Sequence, residues 1–207
     1  MNCWEISSPS LFTIPIGITN GILDNKDDII NSIEYLDISS LPEDPIYCSR
    51  SSNLVNKKEF YSLSFQIIKN FLEINETLYQ YDFSKVTPYV TSIWANKYKK
   101  DQFIPSHVHP NSWFSGVYYP YGTGKTQIIF ENPIKNCATI DPPVKQYNDY
   151  NCQSWRSTFP EDTMIFFPSY LGHRTLRHQD DKERISISFN IFLRGSLSEV
   201  TETFLKL

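Results

Sequence analysis

The sequence lacks the features that mark several protein classes. Its cysteines are scattered and none forms a CxxC pair, at positions Cys3, Cys48, Cys137 and Cys152. A disulfide-dense scaffold is therefore not expected, and reduced, buried thiols are the prediction. No apolar run approaches the roughly 20 residues of a membrane span, and the first residues lack the basic start and long apolar stretch of a secretory signal. These absences predict a cytoplasmic protein with no membrane segment.

The sequence also has no large excess of positive or negative charge. The 207 residues include 19 Lys and Arg against 23 Asp and Glu, a formal net charge of −4, so no general attraction to nucleic acid or anionic lipid is predicted. Seven glycines exclude a collagen-like or low-complexity chain. Because 40% of residues are hydrophobic and 15% aromatic, the chain can form a real core. We expect a single domain over residues 1–207, with the oligomeric state left open.

Helical periodicity is confined to the first part of the chain. Residues 24–36 place isoleucines behind an acidic start, and residues 57–80 repeat an apolar residue every three or four positions. Asn56 and Glu59 resemble a capping pair at the start of the second stretch. We therefore predict an N-terminal helical support region over residues 1–85.

The pattern changes to strands from about residue 86. Five segments rich in β-branched and aromatic residues are separated by Gly, Pro, Asn or Asp: PYVTSIWA, WFSGVYY, TQIIFE, TMIFFP and RISISFNIFLR. This pattern is typical of a sandwich or barrel, and Gly116 would let a neighbouring strand approach closely. Residues 132–157 predict a long loop, which could act as a lid. We thus expect a mainly β core over residues 86–195 with flanking helices, followed by a tail over 196–207.

The last predicted strand alternates between an apolar and a polar face, because side chains along a strand point to opposite sides. The polar face presents Arg184, Ser186, Ser188 and Asn190. The apolar face is expected to pack against the helices. A hairpin turning through residues 178–183 would place His173 opposite Ser188, on the same face as Arg184 and Ser186.

All four histidines lie in the second half of the chain. His107 and His109 flank one residue, so in an extended segment their imidazoles point the same way. An HxH pair with a distant third member, here His173, can offer three ligands to one face of a metal, and imidazole suits Fe, Zn, Cu and Ni alike. His178 lies in a charged turn and is expected at the surface.

Three blocks of sequence together resemble a known family. They are HVHPNSWFSGVYYP, FPEDTMIFFPSYLGH and ERISISFN. In this order they resemble the Fe(II)- and 2-oxoglutarate-dependent oxygenases, and more narrowly a branch with an HxHPxxxxSGVYY signature related to the prolyl-hydroxylase-like enzymes. The resemblance covers about residues 90–195. It implies a double-stranded β-helix, which is a cupin-like jelly roll, with Fe(II), 2-oxoglutarate as cosubstrate, and O₂.

The resemblance also implies roles for individual residues. His107 would be the first iron ligand and His173 the distal one, and both would be catalytic. Arg184, in an RxS arrangement with Ser186, would bind the far carboxylate of 2-oxoglutarate, since the planar guanidinium matches a carboxylate with two parallel hydrogen bonds. Tyr119 would place its hydroxyl against the same carboxylate.

One position departs from the family pattern. The usual facial triad is His-x-Asp/Glu…His, but His109 stands where the carboxylate is expected. His109 either binds the metal as a third histidine or turns away to leave two ligands, or else His109 and Asn111 replace the pair His107 and His109. We expect a metal site of His107, His109 and His173. Asn96, just before the metal-binding segment, would contact the cosubstrate or substrate, or support the metal ligands from behind.

The function that follows from the resemblance is that of a dioxygenase, expected to be a hydroxylase. It would couple decarboxylation of 2-oxoglutarate to succinate with oxidation of a small molecule or a protein side chain. A three-histidine zinc hydrolase or hydratase is an alternative, and a non-catalytic jelly-roll binding module is another. The zinc scheme gives no role to Arg184 or Tyr119. A nucleic-acid substrate is the least attractive because the chain has no basic stripe.

Overall fold

The computed structural model describes residues 13–34, 38–39, 47–49, 54–134, 140, 142–148, 150–198 and 205–207. The helices are α1 (Lys26–Glu34) and α2 (Tyr61–Ile74), with 3₁₀ turns at Leu54–Asn56 and Lys58–Phe60 and a π-helical turn at Asn75–Tyr79. The strands are β1 (Gly17–Asn20), β2 (Ile38–Ser39), β3 (Tyr47–Ser49), β4 (Val86–Tyr98), β5 (Phe114–Tyr119), β6 (Ile128–Glu131), β7 (Ser154–Ser157), β8 (Thr163–Pro168), β9 (His173–Thr175), β10 (Arg184–Leu197) and β11 (Leu205–Lys206). Within these residues, no helix is both long and apolar enough to cross a lipid bilayer.

In the described part of the chain the strands form two antiparallel sheets. The larger sheet has eight strands in the order β1-β8-β5-β10-β4-β3-β2, with β11 paired to β10, and the smaller has the order β7-β6-β9. The strand β10 lies between β4 and β5. Its side chains therefore occupy the middle of the larger sheet.

The helices cover one face of the larger sheet. The apolar stripe of α2 is buried there, at Leu63, Ile67, Phe71 and Ile74. The strand β10 contributes Ile185, Ile187, Phe189 and Ile191 to the same core. Strong burial of both stripes removes apolar surface from water, which is the main stabilising contribution to such a layer. The predicted packing of helices on the apolar face of the last strand is confirmed.

The start of the second helix differs from the prediction. The α-helix begins at Tyr61, after a 3₁₀ turn, and its N-cap residue Phe60 makes no side-chain capping bond. The capping pair expected from Asn56 and Glu59 is not formed. The turns are held by backbone hydrogen bonds instead, since the N–H of Lys57 bonds the carbonyl of Leu54 and that of Phe60 bonds the carbonyl of Lys57.

A second core fills the space between the two sheets. The larger sheet contributes Val117, Tyr119, Ile165 and Phe167, and the smaller contributes Ile128 and Phe130. Side chains of β10 that point into this space are polar. Arg184, Ser186 and Ser188 are buried there, while Asn190 is half-buried. The predicted alternation of β10 is confirmed, and its polar face points to the interior between the sheets.

The predicted hairpin between residues 173 and 188 is wrong. His173 lies in β9, which pairs with β6, where it is opposite Phe130. Ser188 lies opposite Trp94 on one side and Val117 on the other. Because both edges of β10 are already hydrogen-bonded to β4 and β5, no edge is free for β9. Residues 178–183 therefore cross from the smaller sheet to the larger one.

Three local predictions also have clear outcomes. The loop expected over residues 132–157 ends in strand β7. His178 is buried rather than exposed: its Nδ1 contacts Thr126 Oγ1 at 2.9 Å, and its Nε2 donates to the carbonyl of Lys182 at 2.7 Å. The close approach at Gly116 is confirmed, since a Cβ there would lie 2.3 Å from the carbonyl oxygen of Ile165 in β8.

Candidate metal centre

Two remote parts of the chain bring three imidazoles together. His173 opens β9, and His107 forms an antiparallel bridge with it through two backbone hydrogen bonds of 3.0 Å. His109, two residues further on, donates its backbone N–H to the carbonyl of Ser169 at 3.0 Å. The HxH segment is thus held against the start of β9 and the turn that precedes it.

The imidazole nitrogens of this group converge on one region. One ligand atom from each of His107, His109 and His173 lies within 4.8 Å of the others. The Nε2 atoms of His107 and His109 are 3.3 Å apart, and the rings of His107 and His173 are 4.3 Å apart. No carboxylate or thiolate joins the three imidazoles within the described residues. Asn111 is exposed and does not belong to the group.

The Nδ1 atom of each imidazole lies within hydrogen-bond distance of an oxygen atom, and that oxygen can only accept a hydrogen bond. His107 Nδ1 is 3.0 Å from the carbonyl of Pro105, His173 Nδ1 is 2.9 Å from that of Leu171, and His109 Nδ1 is 2.7 Å from Asn190 Oδ1. Each Nδ1 therefore carries a hydrogen, so that the neutral form of each ring presents a lone pair at Nε2.

The charge state of the group suits a metal. Burial lowers the pKa of His173 to about 3, and the neighbouring His107 adds to the effect. Burial also lowers the pKa of His109. Both rings are therefore neutral at physiological pH, which is the form that binds metal ions.

These observations test whether an iron(II) ion fits the site. In neutral rings with hydrogen on Nδ1, the two Nε2 lone pairs face each other at 3.3 Å, and a cation between them would relieve their repulsion. Imidazole nitrogens are regular ligands of divalent iron. Support of each ring by an oxygen at Nδ1 is the usual arrangement behind metal-bound histidines. The donor set fits the ion.

The surroundings of the imidazoles are largely aromatic. The ring of Trp94 is 5.4 Å from that of His109, and the rings of Phe167 and Phe130 are 4.6 and 5.9 Å from that of His173. These rings form an apolar wall beside His109 and His173, which are both buried. A low local dielectric strengthens any electrostatic interaction made there.

A buried positive charge faces the same interior. Arg184 is 6% exposed, and its Nε and Nη2 atoms have no hydrogen-bond partner among the residues that the structure describes. Its guanidinium carbon lies 4.0 Å from the ring centre of Tyr98. Burying unpaired donors of a charged group is costly, so the site is built for an anion. The fork of Nε and Nη2 matches a carboxylate.

Tyr119 lies close enough for the charge of Arg184 to act on it. Burial raises the pKa of the Tyr119 hydroxyl, and the positive charge of Arg184 opposes that rise only in part. The hydroxyl therefore stays protonated and can donate a hydrogen bond. This agrees with a neutral donor beside a carboxylate.

The other predicted site residues line the inner face of the larger sheet. Ser186 of β10 lies opposite Asn96 of β4, and both are 3% exposed. Asn96 Nδ2 donates to Ser188 Oγ at 3.1 Å. These polar side chains lie on β10 and β4 between the positions of Arg184 and Asn190.

Sequence reasoning missed several residues of the site. Asn190 was recognised only as part of a polar face, and Tyr98 was not singled out. Ser115, which contacts Asn190, and Ser169, which contacts Ser115, carried no signal of their own. Alternation along β10 was the one pattern that pointed towards Asn190.

Comparisons with known proteins agree with this geometry. Residues 92–190 match the model of a family described as "Putative 2OG-Fe(II) oxygenase". No curated protein matches the sequence.

Solved structures resemble the whole fold. HygX from Streptomyces hygroscopicus, with nickel and 2-oxoglutarate bound, is 10% identical with a TM-score of 0.58, over 86% of this chain and 83% of that one. The epimerase SnoN from nogalamycin biosynthesis is 8% identical with a TM-score of 0.62, over 91% and 84%. A Pseudomonas putida prolyl-4-hydroxylase is 12% identical with a TM-score of 0.55, over 86% and 93%. The expected mainly β, double-stranded β-helix fold is confirmed.

Proposed function

We propose that this protein is a 2OG-Fe(II) oxygenase, and that it is a hydroxylase that couples 2-oxoglutarate decarboxylation to substrate oxidation. One observation carries the proposal. A cluster of three imidazoles and a buried guanidinium with unpaired donors face the same interior. Either feature alone fits other proteins, but together they fit a divalent iron ion and a dicarboxylic acid.

Each residue then has a defined task. When bound, the iron supplies the oxidising chemistry together with O₂ and 2-oxoglutarate. His107, His109 and His173 hold the ion through their Nε2 atoms. Arg184 grips the far carboxylate of 2-oxoglutarate with its fork, and Tyr119 donates its hydroxyl to the same group.

The remaining groups shape the interior. Trp94, Phe130 and Phe167 exclude water from the reacting region, which protects reactive species from side reactions. Asn96 and Ser186 provide polar atoms along the wall, where a substrate or cosubstrate can be oriented.

Arg184 also separates the oxygenase from the alternatives. A three-histidine zinc hydrolase needs a metal-bound water and has no use for a buried, unpaired guanidinium. A binding module without chemistry has no need for three imidazoles that converge on one point. The proposed function accounts for both features.

Succinate formation tests the proposal directly. We expect purified protein with Fe(II), O₂ and 2-oxoglutarate to form succinate, at least by slow uncoupled turnover, measured by mass spectrometry. His173→Ala and Arg184→Ala should abolish it. Lys100→Ala, which removes only an exposed ion pair with Asp181, is the matched control and should retain it. Absence of both succinate formation and 2-oxoglutarate binding in the unaltered protein would reject the function.

The substrate is proposed to be a small molecule or a protein side chain, and the location to be the cytoplasm. The formal net charge of −4 and the scattered cysteines support these choices. Untargeted mass analysis of lysate treated with active protein tests the proposed substrate class. The His173→Ala protein is the control, and a product that appears with both proteins would not count.

A further inference from the structure

A chain of hydrogen bonds runs behind His109. Asn190 Oδ1 receives the Nδ1–H of His109 at 2.7 Å and the hydroxyl of Ser115 at 2.8 Å. Ser115 Oγ is in turn 2.7 Å from Ser169 Oγ, and both serines are almost completely buried. The members come from β10, β5 and the turn after β8, so three separate parts of the chain contribute to it.

The direction of this chain follows from its members. The single hydroxyl hydrogen of Ser115 is used on Asn190, so Ser169 donates to Ser115. Every hydrogen bond then points towards Asn190 Oδ1, and successive bonds polarise one another. The result is an acceptor that holds the hydrogen of His109 on Nδ1 and leaves Nε2 free for a metal.

His109 differs from the other two histidines in the kind of support it receives. His107 and His173 rely on backbone carbonyls, whose direction is set by the fold. The support of His109 is a side-chain amide, whose other end is a donor. If that donor faced His109, the hydrogen of the imidazole would move to Nε2 and the lone pair would be lost.

The strand pairing is irregular beside Asn190. The pairing of β10 with β4 shifts between Asn190 and Ile191, so that Ser92 and Val90 are the partners and Thr91 is the extra residue. Thr91 Oγ1 donates to the carbonyl of Asn190 at 3.3 Å. Bulges of this kind redirect side chains beside functional sites. The bulge is a separate observation that agrees with a required orientation at Asn190.

We propose that Asn190 is a positioning residue that makes His109 the third metal ligand, so that three imidazoles hold the ion. The inference rests on the proposed function only in requiring that the cluster bind a divalent metal. It contradicts the arrangement in which His109 turns away and two histidines remain. Ser115 and Ser169 act through Asn190.

Nickel binding tests the inference without relying on turnover. Ni²⁺ is titrated into metal-free protein by calorimetry near neutral pH. We expect Asn190→Leu, which keeps the volume but removes the acceptor, to weaken binding about 10- to 100-fold. Asn190→Asp keeps the acceptor and should bind at least as tightly as the unaltered protein. Asn70→Leu is the matched control, since Asn70 lies on α2 and bonds Thr19 and Met164; its affinity should be unchanged.

A double-mutant cycle shows whether Asn190 acts through His109. His109→Leu should weaken nickel binding by itself. Adding Asn190→Leu to that variant should cause no further loss, because the ring that Asn190 orients is gone. Additive losses would contradict the inference.

The hydrogen position on His109 can be read directly. Long-range ¹H–¹⁵N spectra of metal-free protein should show hydrogen on Nδ1 of His109, and Asn190→Leu should shift it towards Nε2. Circular dichroism confirms folding, and if Asn190→Leu does not fold, Ser115→Ala replaces it with a smaller expected loss of affinity. Unchanged nickel affinity in a folded variant overturns this inference alone. Failure of the unaltered protein to bind nickel overturns the proposed function as well.

Discussion

The charged side chain of Arg184 loses its hydration on folding. Two of its nitrogen atoms gain no hydrogen-bond partner from the described part of the protein in return. Its side chain is buried, and Nε and Nη2 lack acceptors within the described residues. A group of this kind destabilises the protein without ligand and is kept for what it binds. Stability and function therefore oppose each other at this residue.

Replacing Arg184 by Met should show that opposition. We expect the metal-free Arg184→Met protein to melt at the same temperature as the unaltered protein or higher, because an unpaired buried charge is removed. Addition of 2-oxoglutarate to the nickel-loaded unaltered protein should stabilise it by about 2.7 kcal/mol at 100 times its Kd. The Arg184→Met variant should not be stabilised by 2-oxoglutarate. Thermal unfolding with and without 2-oxoglutarate measures both effects, and a much lower melting temperature of the metal-free variant would contradict the first.

Tyr98 should act through its contact with Arg184. The guanidinium carbon lies 4.0 Å from the ring centre, and a desolvated cation–π contact contributes up to about 2 kcal/mol, or roughly 30-fold in affinity. Tyr98→Leu is expected to weaken 2-oxoglutarate binding to the nickel-loaded protein by up to that factor, whereas Tyr98→Phe keeps the ring and most of the affinity. Calorimetry measures both. Equal losses in the two variants would assign the effect to the hydroxyl.

Single residues were predictable where a motif carried them. The HxH pair, His173 and Arg184 were singled out because the three sequence blocks resemble the oxygenase family. His178 was placed at the surface because its neighbours in sequence are charged, but its burial depends on Thr126, 52 residues away. Asn190 was missed as a support for His109 because that contact joins positions 81 apart. Local sequence does not contain such contacts.

At the scale of elements, β5 passes unusually close to its neighbours at Gly116. A Cβ at this position would lie 2.3 Å from the carbonyl oxygen of Ile165 and 2.3 Å from the ring of Phe189. Backbone on one side and a core ring on the other leave no room for a methyl group.

Gly116→Ala should therefore destabilise the fold strongly. Overpacking of a core typically costs about 1–3 kcal/mol, and a clash with backbone lies at the upper end of that range or beyond. The free energy of unfolding in urea measures the loss. Gly21→Ala is the matched control, since a Cβ there meets nothing within 4 Å, and its stability should be nearly unchanged. Similar losses in both variants would contradict the packing argument.

Elements were easier to predict than their pairing. Periodicity identified α1, α2 and the main strands β4, β5, β6, β8 and β10, because alternation and the helical repeat are local properties. The hairpin into β10 was wrong because the partners of a strand depend on which edges are free. The strand β7 was missed for the related reason that its short segment pairs with β6 across a long connection.

At the scale of the whole molecule, two sheets enclose a core whose polar part holds the site. The strand pattern predicted a sandwich or barrel, but only the resemblance to the oxygenases predicted the double-stranded β-helix. Strand order was beyond reach of local patterns, since β1 joins the larger sheet beside β8, more than a hundred residues away. Whether residues 132–157 act as a lid stays a prediction.

The two sheets contribute to the metal centre from opposite sides. His173 belongs to the smaller sheet and His107 is bridged to it, while His109 is hydrogen-bonded to Asn190 of the larger sheet. An ion held by all three rings therefore joins the sheets. We expect nickel to slow amide hydrogen exchange in β6 and β9, measured by mass spectrometry, and a chelator to restore it. The His109→Leu protein is the control and should show a weaker effect, while equal exchange with and without nickel in the unaltered protein would argue against this bridging.

The same arrangement has a consequence for the degradation of the protein in a cell. Without the proposed iron ion, the smaller sheet would lose one of its links to the larger, helix-backed sheet, so proteases should cleave the metal-free protein first in the smaller sheet. The concentration of available iron would then set the lifetime of the protein in the cell as well as its activity.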